Sequence, residues 1–284
     1  AGSTHNIFIG NDAGGGTWAD VASNYNVGIG NYSMDAALNG ALNNTALGHY
    51  TLSSLTEGDS NVAIGYNAGG SLTTGGTNIL IGRNAGSSGT DLAYSVIIGT
   101  YAGDAINTNN SQGSVLIGYE AGTNLTSGVN SLIGYYAGRY LSTQGYNTMY
   151  GYEVGHYMNG SSNTFIGYYA GRGSSTSAPY GNGGNNVALG REALKAISSG
   201  SYNVAIGRDS LKIATDGDHN IALGYSSGVA LTSGDDNVLI GKNTAINLST
   251  GTNNIAIGEN ALYLENSGTY AIAIGYRAGY KNRI

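Results

Sequence analysis

Glu192 and Asp209 are the two carboxylates whose spacing comes closest to chemistry. Each stands two residues after a glycine, Gly190 and Gly207, and each follows an arginine, Arg191 and Arg208. If those glycines are equivalent places in stacked repeats, the carboxyls lie roughly 5 Å apart, near the separation of a retaining glycosidase pair. The competing reading is a solvated charge cluster, because a regular stack offers no cleft of the kind that catalysis uses. Asp218 and Asp235 share a second offset, on neighbouring turns, with Asp216 and Asp236 beside them. Four such carboxylates suit a hard cation such as calcium; plain exposed turns are the alternative. The Gly-Gly-x-Gly-x-Asp calcium nonapeptide is absent.

Other routes to chemistry are closed. His5, His49, His156 and His219 share no metal-ligand spacing, and the chain has no Cys. The Gly-rich turns lack the Lys-Ser/Thr partner of a phosphate loop. These absences lead us to expect no enzyme, no resident cofactor and no metal beyond the weak Asp candidates. Tyrosine is the compositional anomaly, at 23 copies. Tyr135, Tyr136, Tyr152, Tyr168 and Tyr169 fall in one short span and follow repeat glycines directly or by two residues. A Tyr offers an apolar body and a polar tip, which suits a receptor or a sugar ring. A cross-coil stacking ladder that only stiffens the structure is the other reading.

These residues are positioned by a repeat, typified by Asn61-Val62-Ala63-Ile64-Gly65. Its glycine recurs sixteen times from Gly10 to Gly275, and nine of the fifteen gaps equal 17 residues. One 17-residue coil stacked on itself gives an all-β parallel solenoid, or β-roll, as a single domain over 1–284. The expected coil holds two short strands, and sixteen coils at a spacing of about 4.8 Å form a rod of roughly 75 Å. Extra residues fall after Gly10 and between Gly167 and Gly190. The latter gap, with the only Pro, Pro179, predicts an outward loop over 172–185. Neither end shows an atypical capping coil, which predicts a segment of a longer fibre.

Within the repeat, the residue before the Gly is Ile in twelve copies, and the residue three before it is mostly Val, Ile or Thr. The residue between them is also apolar in every copy but one, Gly28. An exposed strand alternates apolar with polar, so both faces of this one are expected to be covered. A single coil has one interior, and the second face calls for another copy of the chain. The expected oligomer interface is the middle position: Ala63, Leu80, Ile97, Leu116, Leu132, Phe165 and Leu239. The Asn four before the Gly, present in thirteen coils, either forms a ladder between coils or closes its own turn.

The motif Asn-Val-Ala-Ile-Gly-x-x-Ala at 61–68 and 254–261, with Ser210 ending the copy at 203–210, resembles the head repeat of trimeric autotransporter adhesins. Asn44-Thr45-Ala46-Leu47-Gly48-His49-Tyr50 resembles repeats of phage tail fibres and related surface-fibre proteins. The resemblance covers essentially all of 6–280, although the 17-residue period is longer than the adhesin unit. It implies a parallel β-roll with three chains about an axis and a role in attachment.

Charged residues make up 10 % of the chain and the net charge is −6, with Lys and Arg scattered, so no nucleic-acid groove is expected. No apolar run approaches a membrane helix. The function expected is a structural segment of an extracellular attachment protein, a virion tail fibre or a bacterial surface adhesin or filament, self-associating and in contact with a cell-surface glycan or receptor. The alternatives weighed are a left-handed β-helix acyltransferase and an ice-binding solenoid. The first needs an apolar residue every six positions, whereas Ile64 is followed by Leu72. The second needs flat Thr rows, and Thr56, Thr73, Thr126 and Thr232 mark an interrupted one.

Overall fold

In the computed structural model, residues 2–17, 21–107, 112–174 and 180–280 are described. Sixteen strands, one per coil, run from β1 (Ile7–Ile9) to β16 (Ile272–Ile274), and inside each of two units they form a parallel sheet in chain order. The chain is an all-β solenoid of about fifteen turns. It divides into two compact units, residues 1–145 and 146–284. The first ends with β8 (Asn130–Ile133) and the second begins with β9 (Asn147–Tyr150). Register inside each unit follows the repeat: Val62, Ala63 and Ile64 of β4 (Val62–Ile64) pair with Ile79, Leu80 and Ile81 of β5 (Ile79–Ile81).

The coil holds one strand where two were expected, among the described residues. The reason is backbone curvature. Each repeat Gly has φ between +124° and +149°, open only to glycine. Left-handed residues recur five before it and two and four after it, as Ser60, Asn67 and Gly69 around Gly65. No extended run survives between them. Coil-to-coil bonding continues without extended backbone, as in Leu52 N–H to Ala68 O at 3.1 Å and Thr73 N–H to Thr90 O at 2.7 Å. A Cβ on Gly65 would lie 2.8 Å from the carbonyl carbon and oxygen of Gly82 in the next coil. The repeat glycines therefore stack as a column that excludes any side chain.

The buried Asn column does both jobs the sequence left open. Asn61 donates Nδ2 to Asn44 Oδ1 at 3.0 Å and to Gly75 O, in its own coil, also at 3.0 Å. Its backbone N–H also bonds Asn44 Oδ1. The pattern recurs at Asn186, Asn203, Asn220, Asn237 and Asn254 in the second unit. Ladder and turn closure are one network.

The core settles which strand face is inside. Ala63, Leu80, Ile97, Leu116, Leu132, Phe165 and Leu239 are all fully buried within the single chain. They face the coil interior and are not an interface between copies, which corrects the sequence expectation. The interior is narrow, and its filling alternates. A large middle residue accompanies Gly four after the repeat Gly: Leu80 with Gly86, Ile97 with Gly103, Phe165 with Gly171. A small one accompanies a large partner: Ala46 with Leu52, Ala188 with Leu194, Ala205 with Leu211. Where both are small, as at Ala63 and Gly69, a Cβ on Gly69 would meet Leu80 Cδ1 at 2.7 Å and Leu52 Cδ2 at 2.9 Å from the adjoining coils.

The predicted loop over 172–185 is narrower than expected. Met158 bridges Gly181 in parallel, and Asn185 N–H bonds Ser161 O at 3.0 Å, so the chain has rejoined the stack by Gly181. Residues 175–179, Pro179 included, lie outside the described residues, as do 18–20 in the insertion after Gly10.

Two outcomes test this packing. Asn203→Ala orphans buried donors on Asn220 and the Gly217 carbonyl, each worth about 1–3 kcal/mol. Urea unfolding is expected to show a loss of about 3 kcal/mol, against less than about 1 kcal/mol for exposed Asn247→Ala. Gly171→Leu alone is expected to be severely destabilising, while Phe165→Ala/Gly171→Leu, which copies Ala205 and Leu211, recovers more than about 1 kcal/mol of that loss.

Candidate interaction surfaces

With the middle position inside, the two flanking positions of each strand point outward. Ile79 is 40 % exposed, Ile206 39 % and Leu47 46 %, and Val62, Ile64, Ile98 and Ile117 are half-buried. No charged residue occupies any of these positions in the sixteen coils. Polar residues enter only as Thr45, Ser131, Thr148 and Thr164, beside the amphipathic Tyr150. Eight strands in either unit thus offer a continuous strip of exposed and half-buried apolar side chains.

A second surface lies just past the repeat Gly. Tyr119 and Tyr135 stack with centroids 5.4 Å apart, and Tyr136 lies 4.0 Å from Tyr135. In the second unit Tyr152 stacks on Tyr168 at 5.5 Å, and Tyr169 lies 4.0 Å from Tyr168. The structure therefore places the candidate Tyr135 and Tyr136 in one cluster and Tyr152, Tyr168 and Tyr169 in another. Tyr135, Tyr152 and Tyr168 are exposed, at 38–43 %, whereas Tyr136 and Tyr169 are half-buried. Hydrogen bonding with Tyr168, then burial, pushes the Tyr169 phenol up to about 12. Hydrogen bonding with Tyr135 raises Tyr136 for the same reason.

The cations on these rings are absent from the sequence expectation. Arg139 lies 4.4 Å from the Tyr136 centroid, and Arg172 lies 4.8 Å from Tyr157 and 4.9 Å from Tyr169. Arg139, Arg172 and Lys195 share an offset five residues after the repeat Gly, which Lys212 also occupies, while Arg191 reaches Tyr168 from one residue after it. Beneath them lie carboxylates two after the Gly. Arg139 Nε meets Glu120 at 2.7 Å and Arg172 Nε meets Glu153 at 2.7 Å. Burial raises Glu153, but hydrogen bonds from Arg172 and His156 outweigh it and leave its carboxyl below the usual range.

Glu192 and Asp209 belong to this layer. Lys212 Nζ bridges them, 2.7 Å from Glu192 Oε2 and 3.2 Å from Asp209 Oδ1. Arg191 and Arg208 each reach the carboxylate beside them in sequence, at 3.5 and 3.2 Å. The pair is ion-paired from both sides. Asp218 and Asp235 accept backbone N–H bonds from the preceding coil, Ser201 at 2.6 Å and Asp218 at 2.8 Å. Asp216 accepts the Ser199 hydroxyl at 2.7 Å, and Asp236 sits in the left-handed region. Among the described residues no group of three or more His, Asp or Glu side chains is placed to hold a metal ion. The Thr row is likewise engaged: Thr73 and Thr232 donate their hydroxyls to carbonyls of the next coil at 2.8 and 2.9 Å. Among the described residues no helix is long and apolar enough to cross a membrane.

Fold and surfaces together define a β-solenoid repeat protein that presents ladders of equivalent residues on its outside. No family model, curated protein or solved structure matches the chain in comparisons with known proteins.

The ion-paired layer has a pH signature. The Lys212 ammonium holds Glu192 below its ordinary value of 4.5, against an opposing effect of burial. A carboxyl depressed in the folded state stabilises it fully above the unfolded value and loses that contribution as pH falls through the folded one. Thermal melts of the wild type are therefore expected to drop more steeply below pH 4.5 than those of Lys212→Met.

Proposed function

We propose that this chain is a structural segment of an extracellular attachment fibre, of the tail-fibre or surface-adhesin kind, that associates with further copies of itself. The observation that carries the reading is the charge-free Val/Ile surface repeated on every strand. It runs over eight strands in either unit, and a charge-free apolar strip of that kind marks an interaction face. Its repeat is one coil. A partner that matches it over many coils needs the same rise, which a second copy of the chain has by construction. Three copies about an axis would bring the ladders together without leaving one face bare.

The exposed Tyr clusters suit contact with a glycan or receptor. Interior packing supports the structural side of the reading, since among the described residues the strand's middle position and its partners fill the coil with side chains.

Light scattering is expected to give a stable oligomer, and Ile98→Asp/Ile117→Asp is expected to convert it to a folded monomer. A wild-type monomer at micromolar concentration would overturn the self-association reading. Whole-cell or glycan-array binding is expected to fall on replacing Tyr135, Tyr136, Tyr168 and Tyr169 by Ala. Unchanged binding there would remove the Tyr clusters from recognition.

A further inference from the structure

Charge is unevenly spread along this acidic chain. The first 82 residues hold no Lys or Arg, while residues 172–212 hold five cations and two carboxylates, a local balance of +3 in a protein of net −6. Three of the five, Arg172, Lys195 and Lys212, occupy the same place in successive coils. They line a shallow open cleft of about 290 Å³ with Gly173, Ala196 and Ile213. The cleft lies wholly within the second unit. Its apolar wall is exposed, Ile213 being 42 % accessible.

The cations keep donors for a ligand. Among the described residues Arg172 spends only Nε on a carboxylate, which leaves the terminal nitrogens of its guanidinium. Lys195 makes one long ion-pair contact, 3.4 Å to Glu192, and lies 5.3 Å from the Tyr169 centroid, so its ammonium keeps N–H donors uncommitted. The side chains of Arg172, Lys195 and Lys212 are 24, 33 and 34 % exposed, while the carboxylates beneath are near 10 %. The layer thus presents negative charge inward and positive charge outward.

Spacing selects the ligand. Successive coils are about 4.8 Å apart, so the three cations spread over roughly 10 Å. A single small anion cannot reach all three. An extended molecule with anionic groups on successive units can, and the apolar wall suits the C–H face of a ring.

We propose that this cleft binds an acidic oligosaccharide, its carboxylate or phosphate groups held by Arg172, Lys195 and Lys212 and a sugar ring resting on Ile213. The inference deepens the attachment reading by naming the class of glycan, and rests on that reading only for where the glycan is found.

Isothermal titration of the intact protein with trigalacturonate, maltotriose and inorganic phosphate tests it. Trigalacturonate is expected to bind saturably and more weakly as salt rises, with maltotriose silent. Arg172→Gln/Lys195→Gln is expected to weaken binding at least tenfold, whereas Arg83→Gln in the first unit leaves it unchanged; a melt of each variant separates lost binding from lost folding. If Arg172→Gln/Lys195→Gln melts early, Ile213→Glu, on the exposed wall, replaces it and is expected to abolish binding. No saturable binding of trigalacturonate, or phosphate binding as tightly as the trisaccharide, overturns the saccharide site. Either result with cell attachment intact fails this inference alone; lost oligomerisation with trigalacturonate binding intact fails only the fibre reading.

Discussion

The structure depends on a column of amides contributed by thirteen of the sixteen coils. An Asn side chain has an acceptor and two donors, and here each is committed. Its Oδ1 receives the following coil, and its Nδ2 reaches both the preceding coil and the turn glycine of its own, as Asn220 does to Asn203 and to Gly234. Closing a coil and stacking it on its neighbour are therefore one event. A buried amide left unsatisfied costs more than its bond contributes, so the network tolerates neither a shifted register nor a coil of the wrong circumference. Ser95 and Ser114 replace the Asn in two coils and still take part, Ser95 N–H bonding Asn78 Oδ1 and Asn130 N–H bonding Ser114 Oγ.

Such tight stacking has a steric consequence and a functional one. Two glycine columns let the backbones approach at coil spacing. The interior left over accepts one large side chain or two small ones across the coil, never two large ones unless a neighbour recedes. Outside the core the side chains come as ladders: an apolar one on the strand, an aromatic one past the glycine, and a cationic one over buried carboxylates. Cation–π pairs and ion pairs link the last two, which makes Arg172 a member of both.

Much of this was legible in the chain. The period, the single glycine-bounded triplet per coil, the Asn column and the grouping of tyrosines all follow from residue spacing. The number of strands did not, because a strand on the far side of the coil requires extended backbone, and left-handed positions are hidden when they are filled by Tyr136, Leu194 or Glu192. The cations over the tyrosines were visible as a shared offset, but only stacking shows that Arg172 and Tyr157 meet.

The strand triplet marks where sequence stops. Its composition established that both faces are apolar. Alternation is symmetric, however, and cannot say which face is inside. Tertiary packing decided it: a narrow coil has room for Ala63 or for Leu80 beside Gly86, but not for a continuous wall of Ile and Val. The sign was present as the reciprocal sizes of Phe165 with Gly171 and Ala205 with Leu211, residues that share one volume. The physical reason is that a sequence sets the character of a surface residue by residue, whereas the inside is defined by the volume that several residues must fill together.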